Sequence, residues 1–94
     1  HSHQQEWFTL PGTRRLKRLP NDGWQRPAST PCAVVVGSVG QPRTGDPRAA
    51  WTLWHRDTHR FFFRRTAYPV HQTMQEIADR GLPRRSALRL STGN

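Results

Sequence analysis

Two stretches of the 94-residue chain carry side chains able to do chemistry. The first is His1-Ser2-His3. Imidazole is the commonest protein metal ligand. Two of them at i and i+2 share one side of an extended segment, with Cα atoms about 6.6 Å apart. Taken alone, a His-Ser-His at this position reads first as an expression-tag remnant and second as a ligand pair. The second stretch is Gly37-Ser-Val-Gly-Gln-Pro-Arg-Thr-Gly-Asp-Pro-Arg48. Its glycines at 37, 40 and 45 permit positive φ or a close backbone approach. Free amides beside Ser38 and Arg43 suit a phosphate. The spacing is neither a P-loop nor GxGxxG. On composition a structural turn is the simpler reading, with phosphate contact second.

The remaining reactive side chains point less clearly to chemistry. His55 and His59 flank the turn Arg56-Asp57-Thr58-His59, and His71 stands in the first turn of an expected helix. All three read as solvated. Cys32 opens a β-branched run with no evident base beside it, so it is not expected to be a nucleophile. The sequence contains no CxxC, HExxH or acidic cluster. The pairs Arg14-Arg15, Lys17-Arg18, Arg64-Arg65 and Arg84-Arg85 are scattered, and they serve equally as a nucleic-acid face or as a solvated surface.

These residues must be held by few elements. Trp7 to Leu10 reads as a short strand stopped by Pro11-Gly12, and Pro20-Asn-Asp-Gly23 as a turn. Between them, Arg14 to Leu19 suits a helix or a basic edge strand, and 25–31 a loop. Cys32 to Val36 (CAVVV) predicts a strand buried on both faces. Ala50 to His55 and Arg60 to Thr66 predict a β-hairpin with apolar groups on both faces, which calls for a layer on each side. Val70, Met74, Ile77 and Ala78 form one face of a helix that would cover one side of that sheet. Pro69 suits its start and Gly81 its C′ position. Pro83 opens a last short helix through Leu90, after which Ser-Thr-Gly-Asn is expected to fray.

The chain carries 15 basic and 6 acidic residues, a formal charge of +9. Such a balance implies a partner of opposite charge, or a piece of a larger domain whose acidic residues lie elsewhere. Only 33% of residues are hydrophobic, but four Trp and four Phe supply bulky core material. One cysteine excludes an internal disulfide and suits a reducing, cytoplasmic setting. No apolar run approaches the roughly 18 residues that span a membrane, so no membrane partner is expected.

The loop GSVGQPRTGDPRA resembles a segment of calcineurin-like metallophosphoesterases, in the small bacterial and archaeal phosphodiesterase branch. There the loop commonly reads Gly-Ser-Val-Gly-Gln-Pro-Arg-Asp-Gly-(Asp/Asn)-Pro-Arg-Ala. Arg65-Thr-Ala-Tyr-Pro-Val70 is similar to the family's R-x-x-Y-D-(I/V), and GLPRRSALRL to its GLP…A-x-R-L finish. His1-Ser2-His3 falls where the family has Gly-His-x-His. The chain departs from the pattern at Val35-Val36 (usually Asn-Pro), at Thr44 (usually Asp) and at Pro69 (usually Asp). The family's Asp-x-His, Gly-Asp-x-x-Asp, Gly-Asn-His and lone His motifs are absent.

The resemblance implies an α+β fold: the C-terminal half of an α/β/β/α sandwich, mostly antiparallel strands followed by one or two C-terminal helices. Residues 1–94 would be the C-terminal part of one metallophosphoesterase domain, without the half that carries most metal ligands. The parent would be a hydrolase using two divalent ions (Mn, Zn, Fe or Ni) about 3.5–4 Å apart to cleave a phosphoester. His1 and His3 would each reach one ion, Ser38 and Arg43 would contact the substrate, and no catalytic acid or base would come from this chain. Alone, it would have little or no activity and would self-associate through apolar surface. The alternatives are a small basic nucleic-acid-binding module and an interaction module without chemistry.

Overall fold

A computed structural model describes residues 2–9, 23–26 and 28–94. Leu10, the expected 14–19 element and most of the 20–23 turn lie outside the described residues. Among the described residues five strands come first: β1 (Gln5–Thr9), β2 (Trp24–Gln25), β3 (Cys32–Val36), β4 (Ala49–His55) and β5 (Arg60–Thr66). Two helices follow, α1 (Val70–Asp79) and α2 (Arg84–Thr92). The α+β class and its order of elements thus match the expectation. Strand β2, a two-residue rung that takes the first residue of the expected 25–31 loop, does not, because Trp24↔Phe61 and Gln25↔Arg60 pair with β5.

The pairings among the described residues are antiparallel, and they make two sheets. The smaller joins β1 to β3, with Trp7 opposite Val34. The larger runs β2-β5-β4, with β4 and β5 in register from Ala49↔Thr66 to His55↔Arg60. Aromatic rings bind the sheets together. Trp7 of β1 stacks on Trp24 of β2 at 4.0 Å, and both are 8% exposed. Phe61 lies 5.6 Å from Trp24, and Trp54 stacks on Phe61 at 5.8 Å. This ladder runs from a buried end at Trp7 to Trp54, which is 54% exposed.

Burial corrects two expectations. None of the five β3 residues is buried, and Val36 is half exposed, because β3 pairs only with β1 and no described layer covers its far side. The apolar residues Trp51, Leu53 and Trp54 of β4 are exposed as well. Helix α1 does not cover them. It packs against α2, whose Ala87 and Leu90 are buried. The turn after α1 produces this arrangement: Gly81 N–H donates to Ala78 O and Leu82 N–H to Ile77 O, the paired bonds of a Schellman stop. Gly81 takes the expected C′ place, and Pro83 then launches α2 back onto α1. The Ser-Thr-Gly end is not frayed. Ser91 and Thr92 complete α2, their hydroxyls donating to Leu88 O, and Gly93 caps the helix.

Candidate functional site

The glycine-rich segment is the connection from β3 to β4, and its first residue sits where the two sheets meet. Gly37 has φ +97°, and a Cβ there would lie 2.6 Å from Ala50 Cβ and 2.9 Å from Gln5 Cγ. The amide of Gln5 crosses the seam and donates to Trp51 O (3.0 Å) and Arg64 O (3.1 Å). Ala50 N–H donates to Ser38 O at 3.1 Å, so the loop leaves the smaller sheet and enters the larger within two residues of contact. Gly40 is different: nothing would touch a Cβ there and its φ is not positive. Of these two glycines, the backbone freedom is needed at Gly37.

The N-terminal segment lies against this loop. Ser2 accepts Gln4 N–H (3.3 Å) and donates to Glu6 Oε2 (3.0 Å). The turn puts His3 in the left-handed region at φ +59°. The extended segment expected for 1–3 is not seen at His3, where the chain bends with Gln4 before β1 begins. The bend carries His3 Nδ1 to 3.4 Å from Ser38 Oγ, which also accepts Gln41 N–H at 2.9 Å. Gln4 Nε2 donates to Arg43 O at 3.1 Å. The structure thus brings His3 beside Ser38 and fixes the backbone of Arg43 next to them, with the Arg43 side chain exposed. His1 lies outside the described residues. A left-handed non-glycine residue costs energy and tends to occur at functional sites.

The far end of the loop is anchored by charge. Arg48 donates to Asp46 through Nε (3.0 Å) and Nη2 (2.7 Å), and its backbone N–H donates to the same carboxylate at 3.0 Å. Arg65 of β5 lies 3.6 Å from Asp46 and donates to Thr44 Oγ1 at 3.0 Å. The hydrogen bonds from Arg48 hold the Asp46 carboxyl down at about 2, from an ordinary 3.8, against a partial desolvation that would raise it. Its folded value lies below its unfolded one. The stabilisation is therefore present above about pH 3.8 and lost as pH falls towards about 2. Amide exchange in 43–48 should accelerate across that window. In Asp46→Asn it should already be fast at pH 7 and show no further step there. An unchanged step in the variant would remove Asp46 as the anchor.

Other expected candidates take structural places. His55 Nδ1 meets the Thr58 hydroxyl at 2.8 Å and Thr58 N–H at 3.3 Å, so it closes the β4–β5 turn rather than simply facing solvent. His59 and His71 are exposed, and Cys32 is a half-buried free thiol. The Arg64 guanidinium lies 5.4 Å from the Phe62 ring centroid, and Arg65 turns to the loop, so this pair does not present two free cations. Arg84 and Arg85 are exposed, while Arg14-Arg15 and Lys17-Arg18 lie outside the described residues. Sequence reasoning missed Gln4, Gln5, Asp46, Arg65 and Gly93, whose roles depend, apart from the local Asp46–Arg48 pair, on partners 19 to 59 positions away or on the left-handed helix end. The only available signal was the Asp-Pro-Arg spacing, which suits a local Asp–Arg pair.

Among the described residues no group of three or more His, Cys, Asp or Glu is placed to hold a metal ion. The described residues therefore do not form a metal centre by themselves. Among them, too, no helix is long and apolar enough to cross a membrane.

No family model and no curated protein sequence matches the chain. Among solved structures, it is similar to the crystal structure of a metallophosphoesterase from Sphaerobacter thermophilus, with a TM-score of 0.80 and 31% identity. The match covers 100% of this chain and 40% of that one. The antiparallel strands and two C-terminal helices thus correspond to part of a metallophosphoesterase fold, and the chain spans less than half the length of the structure it matches.

Proposed function

We propose that residues 1–94 form the C-terminal part of a metallophosphoesterase domain, and that the complete domain hydrolyses a phosphoester with divalent metal ions. The observation that carries this reading is the likeness to a metallophosphoesterase along the whole chain at 31% identity. The exposed Trp51, Leu53 and Trp54 of β4 support it, because a sheet with apolar groups left uncovered suits a layer supplied by the rest of a larger domain.

In this reading the chain supplies His3, and His1 with it, to a metal site completed by ligands from outside it. The ions would screen the phosphate charge and activate water. The chain's own groups prepare the site. A His3 tautomer that donates its Nδ1 proton to Ser38 Oγ leaves Nε2 as the ligand atom, and a partner on the second ring nitrogen is the usual way to orient a ligand histidine. The Ser38 hydroxyl can alternatively donate to a phosphate oxygen. Arg43, with its backbone tied down and its side chain exposed, brings a cation to the same place.

The test is metal content and turnover of an activated phosphodiester in the full-length protein, with His1→Ala and His3→Ala made separately. Each variant is expected to lose metal and, with it, turnover, while keeping its thermal midpoint without metal. If both keep full metal content and rate, residues 1 and 3 are not ligands. Absence of any metal-dependent phosphoesterase activity in the parent would overturn the reading itself.

A further inference from the structure

We infer that the C-terminal cap of α2 is a latch that fixes the conformation of the 43–48 loop, making Gly93 and Asp46 positioning residues for Arg43. The latch follows from the contacts alone, and its bearing on substrate rests on the proposed function above.

Gly93 is buried although its neighbours Thr92 and Asn94 are exposed. It adopts φ +71°, its N–H closes α2 on Arg89 O at 3.0 Å, and its carbonyl accepts Gly45 N–H at 2.8 Å. A Cβ on Gly93 would overlap the backbone of Asp46 and Gly45. The helix end is therefore seated directly on the loop backbone, at a distance only glycine allows. A cap needs just the left-handed conformation, which asparagine also tolerates. The close approach to Asp46 is a separate demand, and it is made by the loop.

The latch acts on a short span. Arg43 O is held by Gln4, Thr44 Oγ1 by Arg65, the Gly45 amide by Gly93, and the Asp46 carboxylate by Arg48 and Arg65. Four successive residues are thus tied to three separate elements: the N-terminal segment, β5 and the end of α2. The charged Arg43 side chain is exposed at the start of this tied run. Fixing its backbone limits where that charge can go, which lowers the ordering cost of binding an anion.

Gly93→Ala and Asp46→Asn in the full-length protein test this. Two quantities are read: hydrogen exchange of amides 43–48, and KM and kcat for an activated phosphodiester with inorganic phosphate as competitive inhibitor. Exchange in 43–48 should rise about tenfold in either variant while α1 amides keep their protection. KM and the phosphate inhibition constant should rise together by about fivefold, with kcat little changed. If Gly93→Ala does not fold, Asp46→Asn carries the same readouts. Unchanged exchange in a folded variant overturns the latch. Faster exchange with unchanged KM and phosphate inhibition overturns the positioning role but leaves a phosphoesterase. A parent that neither turns over phosphoester nor binds phosphate overturns the functional reading and the positioning role with it, while exchange still decides the latch.

Discussion

Gly37→Val is expected to lower the stability of the full-length protein by about 2–6 kcal/mol, a large part of a domain's margin of about 5–15 kcal/mol. Two effects add. A β-branched residue at φ +97° is strained by about 1–3 kcal/mol. Its Cβ would also stand 2.6 Å from Ala50 Cβ and 2.9 Å from Gln5 Cγ, and forced overpacking costs about 1–3 kcal/mol more. Gln5 cannot simply withdraw, because its amide holds Trp51 O and Arg64 O across the seam. Gly40→Val, three residues on in open space, should stay within about 0.5 kcal/mol. Thermal and urea unfolding of both variants would check the contrast. Equal losses at 37 and 40 would mean that the whole loop, not the seam, needs glycine.

The second large effect is expected at the aromatic ladder. Trp24→Ala should cost about 3–5 kcal/mol. Trp24 belongs to the larger sheet and is 8% exposed, yet its closest ring is Trp7 of the smaller sheet, stacked at 4.0 Å. Truncating it opens a cavity and removes the main apolar contact between the sheets. Trp54→Ala, at the exposed end, loses one stacked pair and should cost about 0.5–1.5 kcal/mol. Equilibrium unfolding followed by fluorescence measures both. If Trp54→Ala proves as damaging as Trp24→Ala, the ladder is not what joins the sheets.

Where the sequence carries a local signal, it and the structure agree. Aromatic-rich runs bracket Arg56–His59 and give the β4–β5 hairpin. The i, i+4, i+7, i+8 spacing from Val70 gives α1, and Gly81 ends it. The α+β class, which the resemblance implies, agrees with these elements. What could not be read depends on partners distant in sequence. CAVVV looks doubly buried because β-branched runs usually are, but burial depends on which layers are present, and among the described residues β3 pairs with β1 alone. The apolar stripe of α1 is expected to cover the sheet; it packs against α2 instead, with none of its residues fully buried. At the site, residue types at His3, Ser38 and Arg43 were legible. The left-handed turn at His3 and the tie from Gln4 to Arg43, 39 residues apart, were not. Gly93 looked like part of a loose end because nothing next to it in sequence reveals the Asp46 backbone against which it packs.

The seating of Gly93 on Gly45 also sets an order in time. The β4–β5 hairpin and the α1–α2 pair join neighbours in sequence, and such contacts form within microseconds. The bond from Gly45 to Gly93 closes 48 positions, and the ties from Gln5 close 46 and 59. During synthesis at about 5–20 residues per second, the loop leaves the ribosome seconds before the residue that latches it. For that interval the segment carrying Ser38 and Arg43 exists without its final shape, and an exposed β4 edge stands beside it. A nascent chain stalled before residue 93 should therefore be the species that chaperones and proteases meet, and its release marks the moment at which the loop becomes fixed.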